Sequence, residues 1–223
     1  MDDAILEQAV AIGVKLADHR LIRSSEGNLS LRRDENSFLI TPSGSKIHAL
    51  NQGDFVAVEF DGSHSKNHRP SSEWRFHQDI YRTQAEAQAI IHTHSEYATA
   101  LACTREDLPA FHYMVAIAGG DRIKCCDYAL FGSEELSSNI LAALEDRKAC
   151  LIANHGLIAW GRSLDEAYTI ASEIESLCKQ YLIARSTGSL CLLSDEEMQQ
   201  VIEKFQDYRI NKLQFESKGV LNG

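Results

Sequence analysis

The chain has 223 residues and a formal net charge of −10, and 44% of its residues are apolar while 24% are charged. This balance excludes a disordered chain, and the length suits one compact domain, residues 1–223. The negative charge, with no run of Lys or Arg, argues against nucleic acid as a partner. The amino terminus lacks the pattern of a signal peptide and no apolar run is long enough to span a membrane, so we expect a cytoplasmic protein without a membrane partner.

The first half of the chain alternates helix and strand patterns. Apolar residues at three- and four-residue spacing predict a helix over 4–21. Short strands are predicted over 27–31, 37–40 and 55–60, the last closed by the turn Asp61-Gly62. The run Pro70-Ser71-Ser72-Glu73 is typical of a helix start and puts Glu73 in a first turn, and residues 89–94 read as a strand.

The second half continues the alternation. Helices are predicted over 97–102 and 134–144, strands over 150–153 and 157–160, and helices from Ser163 to about Ser186 and from Ser194 to about Tyr208. The tail beyond Phe215 has little to bury, so it is expected to fray. Interleaved helices and strands predict a layered α/β domain around a central sheet, and the hairpin-like pairs argue against an all-parallel sheet.

Three histidines form a candidate metal site. Side chains alternate faces along a strand, so His92 and His94 point the same way and can hold one cation together. His155 lies where a buried strand breaks into a turn, a position that suits a third ligand, although a histidine in a turn often has no such role. Three neutral imidazoles with an open position describe a catalytic zinc better than a structural one.

Small polar residues in turns form a candidate phosphate site. Turns and helix starts present free N–H groups and hydroxyls, which bind phosphate without a basic side chain, although each such pair alone is more often an ordinary turn. Glu73 is a candidate acid/base residue because a helix start near a metal holds a carboxylate, but a first-turn Glu commonly serves capping electrostatics only. The candidate phosphate residues are Gly27, Asn28, Ser43, Gly44, Ser71 and Ser72.

These motifs carry a family resemblance. Gly27-Asn28-Leu29-Ser30, Thr41-Pro42-Ser43-Gly44, Pro70-Ser71-Ser72-Glu73, His92-Thr93-His94 and Asn154-His155-Gly156 occur in the order seen in the class II aldolase/adducin family. The similarity extends from about Gly27 to Tyr208. It implies a mixed, largely antiparallel central sheet flanked by helices, assembled as a homotetramer.

The resemblance also implies a chemistry. One Zn²⁺ per subunit would be held by His92, His94 and His155, with Glu73 as a further ligand that also moves the proton. The reaction would be the reversible aldol cleavage of a ketose 1-phosphate similar to L-fuculose 1-phosphate, giving dihydroxyacetone phosphate and a small aldehyde. Tyr113 matches a tyrosine that family members lend to the neighbouring subunit's site. The aldehyde end of the pocket would be lined by Phe131, Phe205 and Tyr208.

Two other functions of the same family stay open at this point. A sugar-phosphate 4-epimerase and a keto-acid-phosphate decarboxylase share the metal site, although epimerases tend to carry Asp at the position of Glu73. An adducin-like binding protein without catalysis is disfavoured because the chain keeps all three histidines. Asn154 stands where family aldolases often carry a histidine, and Ser45-Lys46 follows Gly44 where an apolar residue is common.

Overall fold

The computed structural model describes residues 3–64 and 68–219, with side chains described as far as Asp207. The helices are Asp3–Asp18 (α1), Trp74–Thr83 (α2), Glu96–Ala102 (α3), Glu134–Ala143 (α4), Leu164–Ser186 (α5) and Asp195–Gly219 (α6). The strands are Asn28–Arg32 (β1), Ser37–Ile40 (β2), Val56–Glu59 (β3), Ala89–Thr93 (β4), Cys125–Cys126 (β5), Ala149–Ile152 (β6) and Gly156–Gly161 (β7). Within these described residues, no helix is both long and apolar enough to cross a membrane.

The seven strands form one sheet in the order β3-β2-β1-β4-β7-β6-β5. Every neighbouring pair is antiparallel except β5 and β6, which run parallel. The predicted mixed, largely antiparallel sheet within a single α/β domain is therefore confirmed. Strand β4, which carries His92, lies at the centre of the sheet, where it pairs with β1 on one side and β7 on the other.

Helices cover both faces of the sheet because both faces are apolar. Along β4, Ile91 packs in the cluster formed with α1, α3 and α5, whereas Ile90 packs in the cluster formed with α2 and α4. The same alternation occurs along β7, with Leu157 in the first cluster and Ile158 in the second. Strands buried on both faces lose the clean polar alternation of an exposed sheet, and their burial supplies the main driving force for this three-layer arrangement.

The strand register brings three separate parts of the chain to one edge of the sheet. Asn28 at the start of β1 lies opposite His92 near the end of β4, and Thr93 lies opposite Leu157 in β7. His155 directly precedes β7, so it comes next to the end of β4. The edge where β4 ends and β1 and β7 begin therefore collects the predicted metal ligands.

Some predicted boundaries differ from the structure. α6 continues to Gly219, past the predicted end near Tyr208, since nothing in this charged, helix-favouring stretch breaks the helix. Glu73 is the residue before α2 and not part of its first turn. The short 3₁₀ helices at 47–49, 52–54 and 113–118, and the two-residue β5, were not predicted because such brief elements carry no periodic pattern. The fraying of the extreme tail stays a prediction.

Gly156 allows β7 to approach β4 closely at this edge, because it has no Cβ atom. A Cβ atom at this position would meet the Thr93 carbonyl oxygen at 2.2 Å and a His94 ring carbon at 3.1 Å. We expect Gly156→Ala to lower the free energy of unfolding by about 2 kcal/mol or more, because backbone cannot move aside as a flexible side chain can.

Urea denaturation of this variant measures the loss, and Gly53→Ala is the matched control. A Cβ atom at Gly53 meets nothing within 4 Å, so the control should stay within about 1 kcal/mol of the wild type. Equal stability of the two variants would show that the close approach of β7 to β4 does not constrain this edge.

Candidate active site

The three predicted histidines converge at the end of β4. The ring centroids of His92, His94 and His155 lie 4.8 Å apart in every pair, with interplanar angles of 74° to 83°. The two Nε2 atoms of His92 and His94 are 2.9 Å apart. Rings in contact edge to face, with nitrogens directed at each other, leave room for one shared proton or cation between them.

A backbone contact sets the orientation of His92. Its Nδ1 lies 3.0 Å from the carbonyl oxygen of Leu157, and a carbonyl can only accept, so Nδ1 donates. The Nε2 atom of this fully buried ring then faces the metal-site residues His94 and Glu73. Burial, followed by the neighbouring rings of His92 and His155, lowers the pKa of His94 to about 3, so that His94 is neutral at physiological pH.

Glu73 completes the cluster from the turn before α2. One carboxylate oxygen lies 3.0 Å from His155 Nε2, and the other lies 3.3 Å from His92 Nε2 and accepts a 2.8 Å hydrogen bond from the Asn28 amide. Burial raises the pKa of this carboxyl, but the imidazoles of His92 and His155 outweigh burial and hold the pKa well below its usual range. Glu73 is therefore an ionised carboxylate, and the residue is only 7% exposed.

The donor set fits a divalent metal ion. One ligand atom from each of Glu73, His92, His94 and His155 lies within 4.8 Å of the other three. Ligand atoms around a tetrahedral zinc, with bonds of about 2.0 to 2.1 Å, lie about 3.3 Å from one another. Three contacts in this cluster, at 2.9, 3.0 and 3.3 Å, are close to that separation. The sequence-predicted ligands therefore meet with spacing appropriate to a cation.

A cleft of about 380 Å³ opens beside this cluster. All six predicted phosphate residues line it, together with Phe131, and no Lys or Arg is among its described lining residues. Gly44 adopts a φ of +71° that glycine tolerates, and a Cβ atom there would meet nothing within 4 Å, so its backbone is open to the cleft. The cleft lining is Ser25, Glu26, Gly27, Asn28, Pro42, Ser43, Gly44, Ser71, Ser72, Glu73, His94, Tyr128, Ala129, Phe131, Asn154 and His155.

The turns that line the cleft are held together by hydrogen bonds. The Ser43 amide donates to the Arg69 carbonyl, and the Ser71 amide donates to the Thr41 carbonyl, which ties the two polar turns side by side. The Ser71 hydroxyl oxygen accepts from both Asn28 and the Glu73 amide, so its own hydrogen is free to point toward a ligand. The cleft can thus offer hydrogen-bond donors to an anion next to a metal-binding cluster.

Two predicted residues, Tyr113 and Phe205, lie away from this cleft. Tyr113, on the short 3₁₀ helix, is 50% exposed and does not line its own chain's cleft. Phe205 is half-buried on α6, where it packs against the core. The side chain of Tyr208 falls outside the described residues. A second cleft of about 480 Å³, near β5 and Arg147, contains none of the predicted site residues.

Comparison with known proteins decides the family. Residues 7–182 match the family model described as the Class II Aldolase and Adducin N-terminal domain. The chain belongs to the class II aldolase and adducin family. The predicted resemblance is therefore confirmed.

Individual members of the class II aldolase and adducin family agree with this assignment. The chain is 45% identical to 5-methylthioribulose-1-phosphate/5-deoxyribulose-1-phosphate aldolase of Rhodospirillum rubrum over 86% of each chain. It is 43% identical to L-fuculose phosphate aldolase of Haemophilus influenzae, with 84% of this chain and 87% of the relative covered. A solved structure of L-fuculose 1-phosphate aldolase superposes with a TM-score of 0.87 at 38% identity, covering 92% of this chain and 98% of the other.

Asn154, one of the departures from the class II aldolase pattern, has a structural explanation. It adopts a left-handed φ of +53°, which asparagine tolerates better than most residues, in the turn that delivers His155. Its side-chain oxygen accepts a 2.9 Å hydrogen bond from Arg105, so the amide is anchored at the cleft rim. Tyr128, which the sequence did not single out, lies in the same rim below the Arg105 guanidinium.

Sequence reasoning also missed a buried polar group behind Glu73. Asn28 contacts His77, and His77 in turn contacts Ser30, which contacts Tyr81. Two spacings in the sequence could have indicated this group. Asn28 and Ser30 lie two apart on β1, and His77 and Tyr81 lie four apart on α2. Each pair therefore shares one face of its element.

Proposed function

We propose that this protein is a zinc-dependent aldolase that reversibly cleaves a ketose 1-phosphate to dihydroxyacetone phosphate and a small aldehyde. The observation that carries this proposal is the position of the ionised Glu73 carboxylate, in contact with two of three convergent histidines and beside a cleft of small polar residues. Such a site unites a metal position, a proton carrier and an anion pocket. Relatives named as 5-methylthioribulose-1-phosphate/5-deoxyribulose-1-phosphate aldolase and as L-fuculose phosphate aldolase support the same reaction class.

The metal and its ligands fit this role. His92, His94 and His155, with Glu73, would hold one Zn²⁺ per subunit. A zinc ion there would act as a Lewis acid on the carbonyl and hydroxyl oxygens of the substrate and stabilise the negative charge that develops on cleavage. Because His94 is neutral above a pH of about 3, its lone pair is available for the metal throughout the physiological range.

Glu73 would carry the proton that the reaction needs. When the C3–C4 bond breaks, its electron pair stays with the three-carbon phosphate half, and the C4 hydroxyl loses its proton as it becomes the aldehyde. Carbon C3 must then gain a proton, so one proton leaves the substrate and one arrives. Because Glu73 is ionised, it must first take up a proton, ultimately the one released from the C4 hydroxyl, before it delivers one to C3. Its buried position at the junction of the metal cluster and the cleft suits both steps.

The polar turns would bind the phosphate. Gly27, Asn28, Ser43, Gly44, Ser71 and Ser72 line the cleft. The amides of Gly44 and Ser72 make no hydrogen bond to another residue that the structure describes, so both are available to an anion. Phosphate bound by amides and hydroxyls, without a basic side chain, keeps the carbonyl end of the ketose directed toward the histidines.

The assembled enzyme would be a cytoplasmic homotetramer with sites at subunit interfaces. Tyr113 is exposed and away from its own chain's cleft, as expected of a residue that serves a neighbouring subunit, where it would handle the proton on the aldehyde oxygen. Phe131, Phe205 and Tyr208 would line the aldehyde end. Phe131 is 61% exposed at the cleft rim, an unusual position for an aromatic ring unless a ligand or partner covers it.

The reaction is tested by incubating the zinc-loaded protein with a panel of ketose phosphates and identifying the products. The panel contains L-fuculose 1-phosphate, 5-deoxyribulose 1-phosphate, 5-methylthioribulose 1-phosphate, ribulose 5-phosphate and a keto-acid phosphate. We expect dihydroxyacetone phosphate from at least one ketose 1-phosphate, and His92→Ala should lower turnover by a factor of about 10³ or more because the metal is lost.

The other outcomes separate the alternatives. An isomerised pentose phosphate without cleavage would indicate an epimerase, and release of carbon dioxide would indicate a decarboxylase. Absence of turnover with every compound, at full zinc loading, would favour a binding protein of the adducin type. Each of these results would contradict the proposed aldolase.

Sharing of a site between subunits is tested with two inactive variants. Tyr113→Phe should lower kcat about 10² to 10³-fold without loss of metal, and Glu73→Gln should lower it at least as much. Co-expression of the two variants should restore part of the activity, because some interfaces then combine an intact Glu73 with an intact Tyr113. If the mixture is no more active than the separate variants, Tyr113 does not serve a neighbouring subunit.

A further inference from the structure

A continuous chain of buried hydrogen bonds runs from α2 through β1 to Glu73. Tyr81 Oη lies 2.8 Å from Ser30 Oγ, and Ser30 Oγ lies 2.7 Å from His77 Nδ1. His77 Nε2 lies 2.5 Å from Asn28 Oδ1, and the Asn28 Nδ2 lies 2.8 Å from Glu73 Oε2. Four side chains from two segments, β1 and α2, thus link the interior of the protein to one oxygen of Glu73, the candidate acid/base residue.

The contact of Asn28 with Glu73 sets the direction of every other bond in this chain. Asn28 donates from its NH₂ group to Glu73, which leaves its oxygen toward His77. That oxygen requires a donor, so His77 carries its hydrogen on Nε2 and accepts at Nδ1. Ser30 must then donate to His77, and Tyr81 must donate to Ser30. Any other arrangement places two acceptors or two donors face to face in a buried region.

The chain is sealed from solvent. Ser30 and His77 are 0% exposed and Tyr81 is 1% exposed, so water does not substitute for a missing partner. The His77 ring stacks on Phe76, with centroids 4.9 Å apart, and Phe76 contacts the edge of the His92 ring. Burial lowers the pKa of His77 to about 3, so the ring is neutral and has one hydrogen to place. The buried, stacked ring is therefore held in one orientation, with a single N–H group to donate.

The geometry points to His77 as a positioning residue of the aldolase site, which through Asn28 fixes the carboxylate of Glu73 against the metal-binding histidines. This inference rests on the proposed function. Glu73 Oε2 is the oxygen nearest to His92, and it receives the Asn28 hydrogen bond. Without His77, the Asn28 amide could rotate and present its oxygen, which would repel the carboxylate and move it away from the reacting carbon.

Variants of His77 separate positioning from general stability. His77→Phe keeps the ring volume and removes the donor to Asn28, and we expect kcat to fall about 10- to 100-fold with KM within about threefold of wild type. His77→Gln should recover most of this loss, because the glutamine NH₂ can reach the place of the imidazole Nε2–H. Zinc content should stay at one ion per chain in both variants.

Ser30→Ala and Ser137→Ala form a matched pair. Both hydroxyls are buried, at 0% and 1% exposure, and Ser137 donates to Asp79 on α2, the same helix that carries His77. Ser30→Ala should lower kcat several-fold. Ser137→Ala should shift the thermal midpoint of unfolding by a similar amount but leave kcat unchanged. If His77→Phe is as active as wild type, or if Ser137→Ala loses as much kcat as Ser30→Ala, His77 has a structural role only.

The tautomer of His77 gives a readout that does not depend on activity. Imidazole ¹⁵N chemical shifts of the full-length protein, assigned by comparison with His77→Gln, should show a neutral ring with hydrogen on Nε2 at pH 7. Hydrogen on Nδ1, or a charged ring, would overturn the inference. The two proposals can fail separately. If the wild-type protein cleaves no ketose phosphate but His77 carries its hydrogen on Nε2, the proposed function is contradicted while the hydrogen-bond chain is supported.

Discussion

The contact of one buried carboxylate with the imidazole rings of His92 and His155 is the interaction on which the site depends. A buried charge without partners is unfavourable by several kcal/mol, so Glu73 is stable in this position only because imidazole and amide groups surround it. Convergent histidines would likewise repel each other if protonated, and burial keeps His94 neutral. The cluster is therefore arranged to receive a cation, which balances the carboxylate and uses the imidazole lone pairs.

The sheet provides the rigid frame for this arrangement. Strand β4 is central, and its pairing with β1 and β7 fixes Asn28 and His155 on either side of its end. Two glycines make the approach close enough: a Cβ atom at Gly27 would meet the His92 carbonyl oxygen, and a Cβ atom at Gly156 would meet the Thr93 carbonyl oxygen. His92 lies on β4, and His94 and His155 directly adjoin β4 and β7, so the sheet holds these three side chains more precisely than long loops would.

Local rules predicted part of the site from sequence. The shared direction of His92 and His94 follows from strand alternation, which involves only neighbouring residues. The convergence of His155 with them required the pairing of β4 with β7, a contact between segments more than 60 residues apart, and only the family resemblance supplied it. Hairpin-like pairs are local and argued against an all-parallel sheet, whereas the mixed, largely antiparallel sheet was implied by the family resemblance. The short β5 and the 3₁₀ helix at 113–118 depend on tertiary packing.

The role of His77 shows where sequence reasoning stopped. Its helical spacing with Ile80 and Tyr81 is a local pattern that indicates a shared helix face and nothing about hydrogen-bond partners. The hydrogen-bond chain appears only when α2 lies on β1, which places His77 between Asn28 and Ser30. Two polar residues two positions apart on a buried strand, such as Asn28 and Ser30, indicate a buried polar partner on the element that packs against that face.

X-ray absorption spectroscopy of the zinc-loaded protein tests the central claim most directly. Convergence of His92, His94 and His155 predicts one zinc per chain, with three imidazole nitrogens at about 2.0 to 2.1 Å and the remaining positions filled by oxygen. A spectrum with fewer than three imidazoles, or with sulfur from any of the six cysteines in the first coordination shell, would contradict this metal site.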